Sequence, residues 1–310
     1  MMQSQSLTVI FFGTSDFAVP SLEALQEDAR FVVKAVITQP DRPVGRKQEK
    51  QKSAVKLAAE RLGIDVYQFD SIKSEDAVRS LQDMRTDVHV VASYGQIIPQ
   101  TILDIPKYGS INVHGSKLPS YRGASPIAGA IAAGEKDTGI TIMLMDAKMD
   151  HGPILTIASE PVRANDTTAT LSPRLAKLGA EILPETIWEY VNKALTPQEQ
   201  NHAEATFVKM LSREAGRIDW HKSAIELEQL VRAFIPWPGT FFELDGKRIK
   251  VLQATIGPAT EKEPGERFVH EGVPAVACGE NSTLVLSEVQ MAGKRAMNGT
   301  VFLRGVSAIW

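Results

Sequence analysis

Over the first two thirds of the chain, short runs of Val, Ile and Phe alternate with amphipathic stretches. "LTVIFF" (7–12), "FVVKAVI" (31–37), "DVHVVAS" (87–93) and "GSINVH" (109–114) are apolar on both faces, which predicts strands buried from both sides. Between them, "PSLEALQE" opens with Pro20 near a first helical turn, and "SAVKLAAERLG" runs from a Ser53 cap to a Gly63 stop. "SEDAVRSLQDM" repeats the capped pattern from Ser74. Strands alternating with helices predict an α/β fold, a doubly wound and mainly parallel sheet with helices on both faces. Ligands of such sheets sit beyond the carboxyl ends of the strands.

Two further strands, "GITIMLMD" (139–146) and "ILTIASEPV" (154–162), flank the turn-like "AKMDHGP". A long helical pattern follows from about Thr167 to Asn192, and Pro184 inside it predicts a kink or break. The polar stretch "TPQEQNHAEATFVKMLSREAGRIDW" then has the character of a linker. Beyond it come a short helix, "SAIELEQLVRAF", and many short strands separated by Gly, Pro and Asn turns, the pattern of a small OB-like β-barrel. The boundary falls near residue 205, giving an N-terminal domain over 1–204 and a C-terminal barrel over 205–310.

Size and composition agree with this division. At 310 residues the chain exceeds what one core usually supports. Its 43% hydrophobic and 23% charged residues are those of an ordinary globular protein. The single cysteine, Cys278, excludes an internal disulfide and a Cys-based zinc site, and fits a reducing cytoplasm. No basic segment precedes the first apolar run, which predicts a strand rather than a signal sequence, and no run is long enough for a membrane helix. A net charge of −3 carries no global nucleic-acid signal, so any basic surface must be local.

Several chemistries are disfavoured by what the motifs lack. After the first strand "FFGTSDFAV" supplies one glycine, Gly13, where a dinucleotide site wants three. The six histidines form no metal-ligand spacing, so no metal is expected, and neither a G-x-S-x-G elbow nor a P-loop is present. What is left is a polar trio: Asn112 and His114 at one strand end, and Asp150 in the turn after another. Acyl transfer to an amine builds negative charge on a carbonyl oxygen, to which an Asn amide or a protonated imidazole can donate. The attacking ammonium must lose a proton, which a partly buried Asp beside the imidazole can take or relay. The structural alternatives are a turn residue before Gly152, a satisfied buried histidine, and a strand-end amide paired with backbone.

The segments "FFGTSDFAVPSLEAL", "VITQPDRPVGR", "INVHGSKLPSYRGASPI", "TGITIMLMDAKMDHGPIL" and "GRIDWHKSAIELEQLVRAFIPWPGTFFELDGKRIKVLQA" occur in this order. Together they resemble the methionyl-tRNA formyltransferase family over about residues 7–300. Single segments are shared with other enzymes that use 10-formyltetrahydrofolate, and "RAFIPWPG" with its following strands discriminates best. The resemblance implies Asn112, His114 and Asp150 as the catalytic trio, 10-formyltetrahydrofolate as co-substrate, and Ser116, Lys117, Leu118 and Pro119 as the folate-binding segment. That segment usually reads Ser-Leu-Leu-Pro, so Lys117 either alters a pocket rim or faces outward. The family usually follows its aspartate with Thr and Gly, whereas His151 and Gly152 follow here. His151 either bears on Asp150 by its charge or, as expected here, faces solvent.

Local charge points to RNA. "DRPVGRKQEKQKSAVK" (41–56) holds six basic and two acidic residues, a phosphate-facing loop or a solvated one. The resemblance implies that Arg42 in this loop and Lys209 in the linker meet tRNA. From Thr206 onward thirteen Lys and Arg face twelve Asp and Glu, which gives no net signal. Trp237 between two prolines is expected to be a packed anchor rather than a base platform, and Cys278 a buried small hydrophobe.

The expected activity is therefore formyl transfer to initiator methionyl-tRNA by a cytoplasmic, non-membrane enzyme, most simply a monomer. Formylation of a small amine, such as glycinamide ribonucleotide or an amino sugar, is a competing reading. It needs neither residues 206–310 nor the basic loop. An RNA-binding protein with a relic catalytic domain is a third reading, opposed by the intact trio.

Overall fold

The chain of this computed structural model is described for residues 6–44, 49–306 and 310. It divides into two compact units, and chain order alone does not separate them. The first unit comprises Met1–Gly123, Asp137–Pro161 and Ser172–Phe207, and the second Ala124–Lys136, Val162–Leu171 and Val208–Trp310.

The Val- and Ile-rich runs of the first unit form a seven-stranded sheet. From one edge to the other its strands are Ile154–Pro161, Asp137–Leu144, Ser110–His114, Val88–Ala92, Leu7–Gly13, Phe31–Thr38 and Asp65–Gln68. The last five run parallel, while Asp137–Leu144 and Ile154–Pro161 are antiparallel to their neighbours. The central strands are buried on both faces, with Val9, Ile10, Phe11, Phe12, Val36, Ile37, Val88, Val90 and Ile111 all fully buried. That explains the unbroken apolar runs.

The predicted helices lie where their caps place them. Ala54–Leu62 starts at Ser53, whose side chain accepts from Lys56 N, and stops at Gly63 with φ +71°. Glu75–Met84 starts at Ser74, which accepts from Ala77 N. Pro184 does not break the long helix, which runs continuously over Thr168–Val191. Leu171, Leu175, Leu183 and Ile187, all fully buried, hold it in place, and this packing outweighs one missing backbone hydrogen bond. Gly179 lets the helix press onto the sheet, because a Cβ there would crowd the Val113 side chain.

In the second unit, helices Pro126–Ala132 and Ala224–Ala233 pack on each other. The second carries the capping box that "SAIELEQ" spells, with Ser223 accepting from Glu226 N and Glu226 accepting from Ser223 N. The antiparallel sheet is ordered Thr240–Leu244, Lys247–Ile256, Ser282–Met291, Val273–Cys278 and Arg267–His270, with Met297–Asn298 also paired to Ser282–Met291. Register shifts interrupt the Lys247–Ile256 pairing around Gln253. Its core includes Leu227, Val231, Phe242, Ile249, Val251, Leu284 and Phe302. Cys278 is buried there, which pushes its thiol up to about 11. Trp237, expected to be packed, is instead 51% exposed.

Candidate active site

Asn112 and His114 are two residues apart on one strand, so both side chains leave the same face of the sheet. Both are buried, in register with Met143 and Thr141 of the neighbouring strand. That neighbour leads into the turn holding Asp150, which explains how residues 38 apart in sequence meet. Asn112 Nδ2 donates to Asp150 Oδ1 at 3.4 Å, and His114 Nδ1 lies 3.6 Å from the same oxygen. The other oxygen, Oδ2, accepts from Gly123 N at 2.7 Å.

The histidine tautomer follows from its surroundings. His114 Nε2 lies 3.1 Å from the Tyr121 carbonyl oxygen, which only accepts, so Nε2 carries a proton. Nδ1 is then the nitrogen that takes up or gives a proton, and it faces Asp150.

Asp150 itself has φ +48°, a left-handed conformation that side chains disfavour. Gly152, two residues on, admits no side chain, because a Cβ would meet the Leu144 carbonyl. The departure at His151 has a visible outcome. Its Nδ1 lies 2.7 Å from Asp146 Oδ2, and its ring stacks on His202 with centroids 4.0 Å apart. It is thus engaged by neighbours instead of facing open solvent as expected. His202 titrates below the usual histidine range, chiefly through desolvation and then through His151 and Arg122.

The segment after His114 is held by its own Ser116 hydroxyl and by Thr141 of the neighbouring strand. Ser116 Oγ donates to Ser120 O at 2.6 Å, Leu118 N donates to Thr141 Oγ1, and Thr141 Oγ1 donates to Ser116 O. Ser116 and Leu118 are buried, and Pro119 O accepts from Thr206 N. Lys117 points outward into an ion pair with Asp137, so the residue that departs from the family pattern lies on the surface.

The basic stretch forms a hairpin of Arg42–Val44 and Glu49–Gln51, with Arg46 and Lys47 outside the described residues. Part of its charge is neutralised internally. Lys56 pairs with Asp41, whose carboxyl it holds below the usual range, and Lys52 pairs with Glu60. Arg42 and Lys50 are exposed, and Arg42 makes one long contact to Gln39. Arg42 and Lys52 rim a cavity of about 410 Å³ that Thr14, Gln39, Ser53 and Gly95 also line, at the carboxyl ends of the sheet strands. Lys209 is exposed and belongs to the second unit.

Gln200 and Arg122 escaped the sequence reading. Both are buried polar residues within reach of the Asp150 turn. One lies in a stretch read as linker and the other among turn residues, so no periodicity or motif marked them. Among the described residues no cluster of three or more His, Cys, Asp or Glu is suited to a metal, and no helix is long and apolar enough to cross a membrane.

The family model for formyl transferase matches residues 6–187, and that for the formyl transferase C-terminal domain matches 210–307. A methionyl-tRNA formyltransferase of Roseiflexus sp. (strain RS-1) is 44% identical over 302 residues, covering 97% of this chain and 93% of the relative. One from Marinobacter nauticus is 42% identical and covers 96% of both chains. The chain belongs to the methionyl-tRNA formyltransferase family. The fold of the family is shared with an N-formyltransferase of Helicobacter canadensis solved with folinic acid and dTDP-3-aminofucose. There the TM-score is 0.67 at 19% identity, over 91% of this chain and 99% of that one. HypX of Aquifex aeolicus, solved with tetrahydrofolic acid, gives a TM-score of 0.60 at 15% identity, over 96% of this chain and 47% of that one.

Proposed function

We infer that this protein transfers the formyl group of 10-formyltetrahydrofolate to the α-amino group of initiator methionyl-tRNA. The observation that carries the mechanism is the convergence of Asn112 Nδ2 and His114 Nδ1 on one oxygen of Asp150. This donor set suits a formyl carbonyl, the group the folate supplies. Asn112 offers its amide N–H to the carbonyl oxygen as charge builds there. Protonated on both nitrogens, His114 gives Nε2–H to Tyr121 O and directs Nδ1–H at the same region. Asp150 takes the proton the amine must lose, its carboxylate aimed by Gly123 N–H and the Asn112 amide. The proton bound by the folate nitrogen on departure balances the one the amine gives up.

Ser116 to Pro119 shape the folate side of this site through backbone and the buried Ser116 and Leu118, with Lys117 outside it. Arg42 and Lys209 contact tRNA phosphates, and the C-terminal antiparallel sheet with its interrupted register is an OB-like surface for the same partner. Residues 1–204 then carry the chemistry and 205–310 hold the tRNA, in a cytoplasmic monomer. In the test, labelled 10-formyltetrahydrofolate is offered with charged initiator tRNA, uncharged tRNA and glycinamide ribonucleotide. Label on the charged tRNA alone is expected. Label on the ribonucleotide would favour the small-amine reading, and tRNA binding without transfer would favour a relic enzyme.

A further inference from the structure

Next to the trio lies a buried polar set that the transfer reaction does not itself use. Gln200 is 6% exposed and is delivered to the site by a bridge in which Ile154 and Gln198 exchange backbone hydrogen bonds of 2.7 and 2.8 Å. Its Nε2 donates to two carbonyl oxygens of one turn, Asp150 O at 3.0 Å and Gly152 O at 2.7 Å. Its Oε1 accepts from Arg122 Nε at 3.2 Å and Nη2 at 2.6 Å. The amide has one consistent orientation, because a guanidinium only donates and a carbonyl only accepts.

Arg122 is 3% exposed, and its side-chain partners among the described residues are neutral: Gln200 Oε1, His202 Nδ1 at 2.9 Å, and the Phe207 ring. Its backbone N–H donates to Thr206 O at 2.8 Å, and the next residue, Gly123, donates to the Asp150 carboxylate. Arg122 and Gly123 therefore reach Asp150 twice, through Gln200 to its backbone and directly to its side chain. Asp150 sits in the left-handed region at φ +48°, which Asp adopts more readily than most residues but at some cost in energy. Two carbonyls of the turn tied to one amide help to hold it there.

We propose that Gln200, oriented by Arg122, is a positioning residue for Asp150: its amide fixes the 150–152 turn so that the carboxylate faces His114 and Asn112. The proposal rests on Asp150 as the proton-handling group. The discriminating variant is Gln200→Glu, which keeps the shape and the acceptor for Arg122 but turns an oxygen toward the two carbonyls. Gln200→Met, which removes every hydrogen bond at similar volume, is measured beside it in case the first variant does not fold. Each is made alone and with Asp150→Asn, and kcat, KM for both substrates and Tm are measured.

With Gln200→Glu or Gln200→Met alone, kcat is expected to fall ~10- to 100-fold with little change in KM, the signature of a displaced catalytic group. Gln200→Glu is expected to keep Tm, since Arg122 gains an ionic partner. In the Asp150→Asn background either change is expected to lower kcat less than about threefold further. Wild-type kcat in the Gln200 variants overturns the proposal, and so does an equal fall with and without Asp150, which marks a structural role. Full turnover in Asp150→Asn alone instead overturns the assignment of Asp150, and the positioning role with it.

Discussion

The two units bury polar groups differently. In the second unit the buried polar residues Asp166, Ser223, Thr240 and Thr283 serve turns, a helix cap and strands, while the apolar core around Leu227, Phe242 and Ile249 makes no chemical demand. In the first unit Asn112, His114, Ser116, Arg122, Thr141 and Gln200 are buried together at one end of the sheet. Four of their bonds join residues 25 to 78 positions apart. Burial of this kind is costly unless every group is satisfied, and it is found where geometry must be fixed rather than where stability is needed. The first unit's pattern predicts substitutions that stop turnover and spare the fold, the second unit's substitutions that do the reverse.

The largest expected effect lies in the trio. Asn112→Ala, His114→Ala and Asp150→Ala should each cut kcat by ~10²–10³ with an unchanged circular-dichroism spectrum, following the size of lost oxyanion donors and proton acceptors. Near-normal kcat in all three would remove the distinction between the units. Next is His89, a polar residue buried in the first unit's interior. Its Nε2 has no hydrogen-bond partner and burial pushes its pKa down to about 3. The unfolded chain then takes up a proton below about 6.5 that the folded one refuses, so stability falls as pH drops from there toward 3. His89→Leu should flatten that decline by at most about 1.4 kcal/mol per pH unit, read from Tm against pH. An unchanged slope would place the acid sensitivity elsewhere.

On the other side of the comparison, Ile249→Val removes one methylene from the second unit's core. It should lower stability by about 0.5–1.5 kcal/mol in a denaturant titration and leave kcat intact at permissive temperature. A matching loss in kcat would show that this core bears on the chemistry. The smallest effect is expected for Lys117→Leu, which restores the family's usual residue. Its ion pair with Asp137 is about half exposed, so turnover, folate KM and stability should stay within about twofold or 0.5 kcal/mol. A change of tenfold in folate KM would put Lys117 at the pocket after all.

The sequence made the trio legible because strand alternation puts residues 112 and 114 on one face and because the surrounding motifs resemble a known family. The helices at Ser53 and Ser74 were legible from their caps, and the buried strands from their Val and Ile content. Asp65–Gln68 was not, since "DVYQ" is short and alternates between exposed and half-buried positions at the sheet edge. Nor was the hairpin at Arg42–Gln51, where the polar pattern reads as loop. Pro184 misled because local propensity was outweighed by the packing of Leu183 and Ile187. Gln200 and Arg122 were invisible for a different reason: a polar residue in a polar stretch carries no mark of burial until distant segments meet.

The stretch between the helix ending at Val191 and Val208 hides the same kind of burial. Residues 188–209 lie outside both matched family regions and look dispensable by composition. Yet Gln198 is bridged to Ile154, Gln200 grips the Asp150 turn, and Thr206 receives the backbone of Arg122. An inserted tag, a protease nick or a swapped joint between Leu195 and Thr206 would therefore disturb the 150–152 turn and, with it, the proposed active site. What separates the halves in sequence is, in space, tied into the Asp150 turn of one of them.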